Sequence, residues 1–215
     1  MKQLTFYFDV VSPYSFLAFE RLPVALQGSS YAVRYQPVLF AGMLQHYGQL
    51  GPAEIGPKRA WTYRQVAWQA HRLGIALRMP AGHPFNPLAL LRLALACASA
   101  GETPNRHVCE RLFHHVWSTG EPADDPLRLA ALATELSPQR DPGSDEVKGE
   151  LRRATEQAVQ RGVFGVPTIE VDGRLFWGHD ALEMVAACLH GDAWFDGPAW
   201  DEAASLPVGT ARRSR

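Results

Sequence analysis

The chain has 215 residues, 47% of them hydrophobic, and a formal net charge of only −1. This length and composition allow a substantial core and one domain, or one domain with a large insertion. The near-zero charge gives no electrostatic support for binding nucleic acid or an anionic membrane surface, and no apolar run is long enough to span a bilayer. We therefore expect a soluble protein, and a cytoplasmic one because the first residues lack a secretory leader pattern.

Cysteine and histidine spacing gives no metal or redox motif. The three cysteines, Cys97, Cys109 and Cys188, are odd in number and lack C-x-x-C spacing. This disfavours a disulfide framework, a zinc site and dithiol chemistry, so we expect small buried apolar residues. The neighbouring His114 and His115 lack the i, i+4 spacing that places two ligands on one helical face. We predict no metal.

The first forty residues predict a β-α-β unit. Residues 4–11 form an apolar, β-rich run typical of a buried strand. Ser12 and Pro13 are suited to the N-cap and first turn of a helix that ends near Gly28. A second strand is predicted over residues 31–38, and the short crossover favours parallel pairing.

The middle of the chain is predicted to be helical. Five helices have an N-terminal cap or proline and a break near the end: residues 57–73, 87–100, 104–117, 126–136 and 144–161. Strands then return at residues 168–171 and 174–177 around an Asp172-Gly173 turn. A last helix is predicted over residues 180–189.

This order predicts an α/β fold, a thioredoxin-like domain with a large all-helical insertion. The predicted boundaries are residues 1–40 and 162–190 for the discontinuous thioredoxin-like domain, 41–161 for the insertion and 191–215 for a C-terminal tail. Trp194, Phe195 and Trp200 suggest that the tail packs on the body or on the partner subunit of a homodimer. We interpret its basic end, residues 212–215, as solvated.

Ser12 marks the candidate site. Its hydroxyl lies at a predicted helix N-terminus, where unpaired backbone N–H groups and the helix dipole favour an anion such as a thiolate. Because no cysteine lies near Ser12, a thiol stabilised there would come from another molecule. The alternative is that Ser12 only caps the helix, and the two roles are compatible.

Four segments together resemble the glutathione-dependent 2-hydroxychromene-2-carboxylate isomerases, relatives of the kappa-class glutathione transferases and DsbA-like oxidoreductases. They are FYFDVVSPYSFLA, GPAEIGPKRAWTYRQVAWQAHRLGI, HPFNPLALLRLALA and GVFGVPTIEVDGRLFWGHDALEMV. The segments are spread over most of residues 4–189, and the tail lies outside the resemblance. The resemblance implies glutathione as the cofactor.

The resemblance also implies roles for individual residues. Ser12 would lie beside the glutathione sulfur and favour its thiolate. Val166 would offer its backbone groups to the cysteinyl part of glutathione, next to a cis Pro167. The γ-glutamyl end would be bound by four consecutive residues, Trp177, Gly178, His179 and Asp180. Asp180 would pair with its ammonium group, although Asp180 also has capping-box form and His179 departs from the family pattern.

The implied substrate is a small aromatic carboxylate between the thioredoxin-like domain and the insertion. Asn86 matches a substrate-contacting position, and Lys58 is a candidate partner for the carboxylate. His83 and Tyr14 are weaker candidates. As alternatives, Asn86 caps the helix that follows it and Lys58 is a solvated surface charge.

The implied activity is isomerisation in aromatic compound degradation. Glutathione would add reversibly to the cis enone from 2-hydroxychromene-2-carboxylate, and rotation and loss of the thiol would give trans-o-hydroxybenzylidenepyruvate. One alternative is a kappa-like glutathione transferase that conjugates electrophiles. Another is a non-catalytic glutathione-binding protein. The lack of a cysteine near Ser12 disfavours a thiol–disulfide oxidoreductase.

Overall fold

A computed structural model describes residues 1–207 and 209, and shows a four-stranded mixed sheet. The strands are β1 Lys2–Phe8, β2 Tyr31–Pro37, β3 Thr168–Val171 and β4 Arg174–Trp177, in the order β2-β1-β3-β4. β1 and β2 are parallel, whereas β3 is antiparallel to both β1 and β4. The C-terminal ends of β1 and β2 and the beginning of β3 therefore meet at one edge of the sheet.

Nine α-helices surround the sheet within the described residues. They are α1 Pro13–Ala25, α2 Phe40–His46, α3 Gly56–Leu73, α4 Leu88–Ala96, α5 Arg106–Trp117, α6 Pro126–Leu136, α7 Asp145–Gln160, α8 Leu182–Leu189 and α9 Pro198–Ala204. α3 to α7 lie between β2 and β3, so the predicted fold class is confirmed. None of the helices in this part of the chain has the length and apolar character needed to cross a membrane.

Several predicted boundaries are wrong. β1 ends at Phe8 instead of residue 11, because the chain turns at Asp9, whose side chain accepts hydrogen bonds from backbone N–H groups. α8 begins at Leu182 instead of residue 180, and Asp180 does not cap it. α4 and α5 are both shorter than predicted. α2 and α9 were not predicted.

The two faces of the sheet have different partners. Leu4, Phe6 and Phe8 lie in the main core, which also contains buried residues of α1, α4, α5 and α8. Tyr7 lies in a second cluster formed mainly by residues of α2, α7 and the loop before β3. Helices of the insertion thus pack on both faces of the sheet, α4 and α5 in the main core and α7 in the second cluster.

The tail packs on the body. The rings of Phe195 and Trp200 lie 5.8 and 5.4 Å from that of Phe176 in β4, and Trp194 packs against both tail rings. Residues 208 and 210–215, including the basic end, lie outside the described residues. The domain boundaries and the homodimer remain predictions.

Candidate functional site

Ser12 caps α1 at the edge of the sheet where β1 ends. Its Oγ accepts a hydrogen bond from Ser15 N at 3.2 Å and donates to the carbonyl of Val166 at 3.3 Å. The side chain is 7% exposed, and Pro13 starts the helix. Among the described residues there is no acceptor for the backbone N–H of Tyr14. This first turn therefore keeps a donor, next to the Ser12 hydroxyl, for an anion.

The loop before β3 forms the second wall. The Val166–Pro167 peptide bond is cis, as the resemblance implies. The Val166 carbonyl faces Ser12, and the Pro167 carbonyl accepts a hydrogen bond from Gly178 N at 2.9 Å. The structure therefore brings together two segments more than 150 residues apart in sequence, together with the loop after β4.

The loop from Trp177 to Asp180 forms the third wall. Trp177 is 56% exposed and packs on the ring of Phe164 at 4.9 Å. Gly178 has φ +102°, and a Cβ there would lie 2.3 Å from Asp180 Oδ1, so glycine is required for this close approach. Asp180 is exposed, with its carboxylate folded back over Gly178.

α3 closes the site over the first turn of α1. The Tyr14 hydroxyl donates to Gln65 Oε1 at 2.6 Å, and the Tyr14 ring stacks on His179 with centroids 6.1 Å apart. Lys58 is exposed in the first turn of α3, seven residues before Gln65. It therefore lies on the same face of the helix, about 10 Å nearer the N-terminus.

His83 is held by hydrogen bonds at both ring nitrogens. Nε2 lies 2.7 Å from the carbonyl of Val11, and Nδ1 lies 2.7 Å from the Tyr63 hydroxyl. Since a carbonyl only accepts, Nε2 carries the proton. The Tyr63 hydroxyl also lies 3.1 Å from the His83 carbonyl, and in the neutral ring it can donate to that carbonyl or to Nδ1. Burial lowers the pKa of His83, which favours this neutral form. In this arrangement His83 fixes the loop before Ser12 and has no free nitrogen for a substrate.

Asn86 is exposed, and its Oδ1 accepts a hydrogen bond from Leu88 N at 3.1 Å at the beginning of α4. The Asn86 side chain therefore contacts the beginning of α4, although Pro87 is the N-cap residue of this helix. A substrate role would require the amide nitrogen. Within residues 1–207 and 209, no group of three His, Cys, Asp or Glu side chains could bind a metal ion.

A family model described as a DSBA-like thioredoxin domain matches residues 3–190. The chain belongs to this family.

Two curated relatives and one solved structure are also similar to this chain over most of its length. The chain is 28% identical to a 2-hydroxychromene-2-carboxylate isomerase of Sphingobium xenophagum, over 87% of this chain and 98% of the relative. It is 27% identical to glutathione S-transferase kappa 2 of Caenorhabditis elegans, over 87% of this chain and 92% of the relative. A solved 2-hydroxychromene-2-carboxylate isomerase superposes with a TM-score of 0.76 at 24% identity, covering 90% of this chain and 97% of that structure. The resemblance stated from the sequence is confirmed.

Three charged residues near the site of this DSBA-like domain were not predicted from the sequence. Asp9 is fully buried and binds the N–H groups of Val11 and Phe40 at 3.0 and 2.9 Å, which fixes the loop that leads to Ser12. Burial lowers the pKa of His179, and the charges of Arg21 and Arg72 lower it further, whereas Asp180 raises it. Arg21 lies in α1 and Arg72 lies in α3, and both act on His179 through their charges. Only tertiary packing of α1 and α3 brings them there, so no local sequence signal could identify them.

Proposed function

We propose that this chain is a glutathione-dependent isomerase that converts 2-hydroxychromene-2-carboxylate-type compounds to trans-o-hydroxybenzylidenepyruvate-type products in aromatic compound degradation. The observation that carries the proposal is the Ser12 hydroxyl at the N-terminus of α1, 3.3 Å from the Val166 carbonyl. The curated relatives support this choice, since they are isomerases of this type and glutathione transferases. A cytoplasmic location is part of the same proposal.

The first turn of α1 fits a thiolate. The Ser12 hydroxyl and the Tyr14 N–H would both donate to the sulfur, and the helix dipole would add to their effect. Each of these interactions is stronger for the anion than for the thiol, so the bound thiol should have a lowered pKa. Ser12 thus acts as a donor to sulfur and forms no covalent bond itself.

The loops beside Ser12 fit the remainder of the tripeptide. The backbone of Val166 would pair with the cysteinyl residue in the manner of an added strand. Asp180 would pair with the ammonium group of the glutamyl residue, and Arg21 and Arg72 would attract the carboxylate of the same glutamyl residue. Trp177 would cover part of the tripeptide, since its indole is exposed and packs on Phe164 in the loop before β3.

The substrate would lie between α3 and the first turn of α1. Ser12 and the loop at Val166 would hold glutathione, which would supply a thiolate for reversible addition to the enone and thereby for its cis–trans isomerisation. Lys58 would bind the substrate carboxylate, and the amide of Asn86 would contact the substrate after exchanging its bond to Leu88. His83 would keep the Ser12 loop in position through Val11.

The decisive test is an absorbance assay with 2-hydroxychromene-2-carboxylate, with and without glutathione. We expect isomerisation only with glutathione, no net consumption of the thiol, and about 100-fold slower turnover in Ser12→Ala, by analogy with removal of one preorganised donor. Ser15→Ala is the matched control, because the buried Ser15 hydroxyl has no hydrogen-bond partner in the described structure. Ultraviolet titration should also show a higher pKa for the bound thiol in Ser12→Ala.

Three results would contradict this proposal. A stable thioether that accumulates as glutathione is consumed would favour a kappa-like glutathione transferase, which the relatives of that class make the second candidate. Calorimetry that detects no glutathione uptake at millimolar concentration would exclude both activities. Glutathione uptake without turnover of either substrate type would indicate a non-catalytic binding protein.

A further inference from the structure

A cavity lies away from Ser12, between α2, α4 and α7. It has a volume of about 950 Å³ and is open to solvent on one side. Its apolar lining comes from Leu39, Leu88, Leu151 and Val159. Neither Ser12 nor any residue of the loops around Val166 and Gly178 lines it. This size is within the range of small-molecule sites, and the cavity is separate from the proposed glutathione site.

Arg92 is the unusual residue of this cavity. It lies one turn after Leu88 on α4, so both side chains are on the cavity face of that helix. Its Nε is buried without a hydrogen-bond partner among the described residues. A buried donor without an acceptor is costly, and a guanidinium group is suited to bind a carboxylate through two parallel hydrogen bonds.

The other charges of the cavity are paired. Lys148 lies 3.3 Å from Asp145, and Arg152 lies 3.9 Å from Glu156, all on the exposed face of α7. These pairs cancel in sign, so Arg92 gives the lining a positive formal charge in excess, and the lining also contains His46. A cationic hydrogen-bond donor beside aliphatic side chains favours an anion that also has an apolar part.

We propose that the cavity between α2, α4 and α7 binds an organic carboxylate with an apolar body, and that Arg92 pairs with the carboxylate. The aliphatic residues contact the apolar part of the ligand, and the open side admits it. The site is independent of the proposed isomerase function, since it shares no lining residue with the Ser12 site. Glutathione should therefore not compete for it.

Calorimetric titration with 1-naphthoate tests the proposal, with 1-naphthamide as the neutral analogue. We expect the acid to bind with a Kd of about 1 mM or tighter, and the amide about tenfold more weakly. Arg92→Met should weaken naphthoate binding about tenfold or more, because it keeps the apolar stem and removes the donors. Arg153→Met is the matched control, since Arg153 is exposed on α7, one of the three helices around the cavity, and does not line the cavity.

The stability of Arg92→Met gives an independent check that the variant is folded. Because the buried Arg92 Nε has no hydrogen-bond partner among the described residues, we expect an unchanged or raised melting temperature. Should Arg92→Met fail to fold, the parent protein still provides the test. The ¹⁵Nε–H resonance that disappears in Arg92→Lys belongs to Arg92, and it should shift on titration with naphthoate but not with naphthamide.

Three outcomes would overturn the proposal. The first is no heat and no Arg92 Nε shift with naphthoate at millimolar concentration. The second is equal affinity in the parent, Arg92→Met and Arg153→Met. The third is displacement of naphthoate by saturating glutathione, which would place its binding at the Ser12 site. A separate glutathione titration reports on the proposed isomerase function, so failure of one proposal is distinguishable from failure of the other.

Discussion

Asp9→Asn is the substitution that best tests how the Ser12 loop is stabilised. Asp9 is completely buried, and its two carboxylate oxygens accept hydrogen bonds from Val11 N and Phe40 N. Burial raises its pKa from 3.8 to about 7, although the two backbone N–H groups oppose this shift. Asparagine has almost the same shape and does not titrate. The variant therefore removes the titration while it keeps one of the two acceptors.

The direction of the pH effect follows from the raised pKa. Between pH 3.8 and about 7 the folded protein keeps a proton on Asp9 that the unfolded chain has lost. The free energy of unfolding therefore falls by about 1.4 kcal/mol for each pH unit in this window, or about 4 kcal/mol in total. Above pH 7 both states are ionised and the contribution becomes constant. The contribution of Asp9 to stability is thus greatest in acid.

Urea unfolding followed by tryptophan fluorescence measures this contribution. The stability of the parent minus that of Asp9→Asn should fall by about 2 kcal/mol between pH 5 and pH 6.5, because groups common to both proteins cancel. Asp145→Asn controls for the loss of one carboxylate, since its side chain is fully exposed. A parent–variant difference that stays flat or rises over this interval would refute the reasoning.

Two other substitutions test an ion pair of the helical insertion and the loop after β4. Arg140→Met should lower the free energy of unfolding in urea by about 3 kcal/mol, because it leaves the Glu150 carboxylate without the two hydrogen bonds of 2.7 and 2.9 Å that Arg140 donates. Arg152→Met is the control and should have little effect, since Arg152 forms only an exposed 3.9 Å pair with Glu156. Gly178→Ala should lower the free energy of unfolding by about 1–3 kcal/mol, because φ at this position is +102°. It should also weaken glutathione binding in calorimetry, because the new Cβ displaces the Asp180 carboxylate. Unchanged affinity would argue against the role of Asp180.

Elements with strong local signals were predictable from the sequence. Ser12-Pro13 supplies an N-cap and a first-turn proline, and α1 begins at Pro13. Asp172-Gly173 predicts the hairpin between β3 and β4, where both residues have positive φ. α3 and α6 likewise follow from a proline at the beginning and a break at the end. In each case the deciding residues are adjacent in sequence.

Elements whose ends depend on tertiary contacts were not predictable. α2 has no side-chain cap, and its first turn is fixed by Phe40 N bound to Asp9 and Leu39 N bound to Thr155 Oγ1 at 2.9 Å. The same Asp9 contacts end β1 early. Local patterns also cannot reveal that His83 reaches Val11, because 72 residues separate them. The sequence could thus indicate Ser12 and the cis-proline loop, but it could not identify the residues that support them.

Under the proposed function, the hydrogen bonds of Ser12 must be exchanged when a thiolate binds. The hydroxyl has one proton, which it donates to the Val166 carbonyl, while its oxygen accepts from Ser15 N. To donate to sulfur, the hydroxyl must release Val166. That carbonyl would then accept from the cysteinyl N–H, so no buried group loses its partner. The loop before β3 would therefore make the Ser12 proton available when a tripeptide backbone pairs with Val166, which would favour glutathione over a simple thiol.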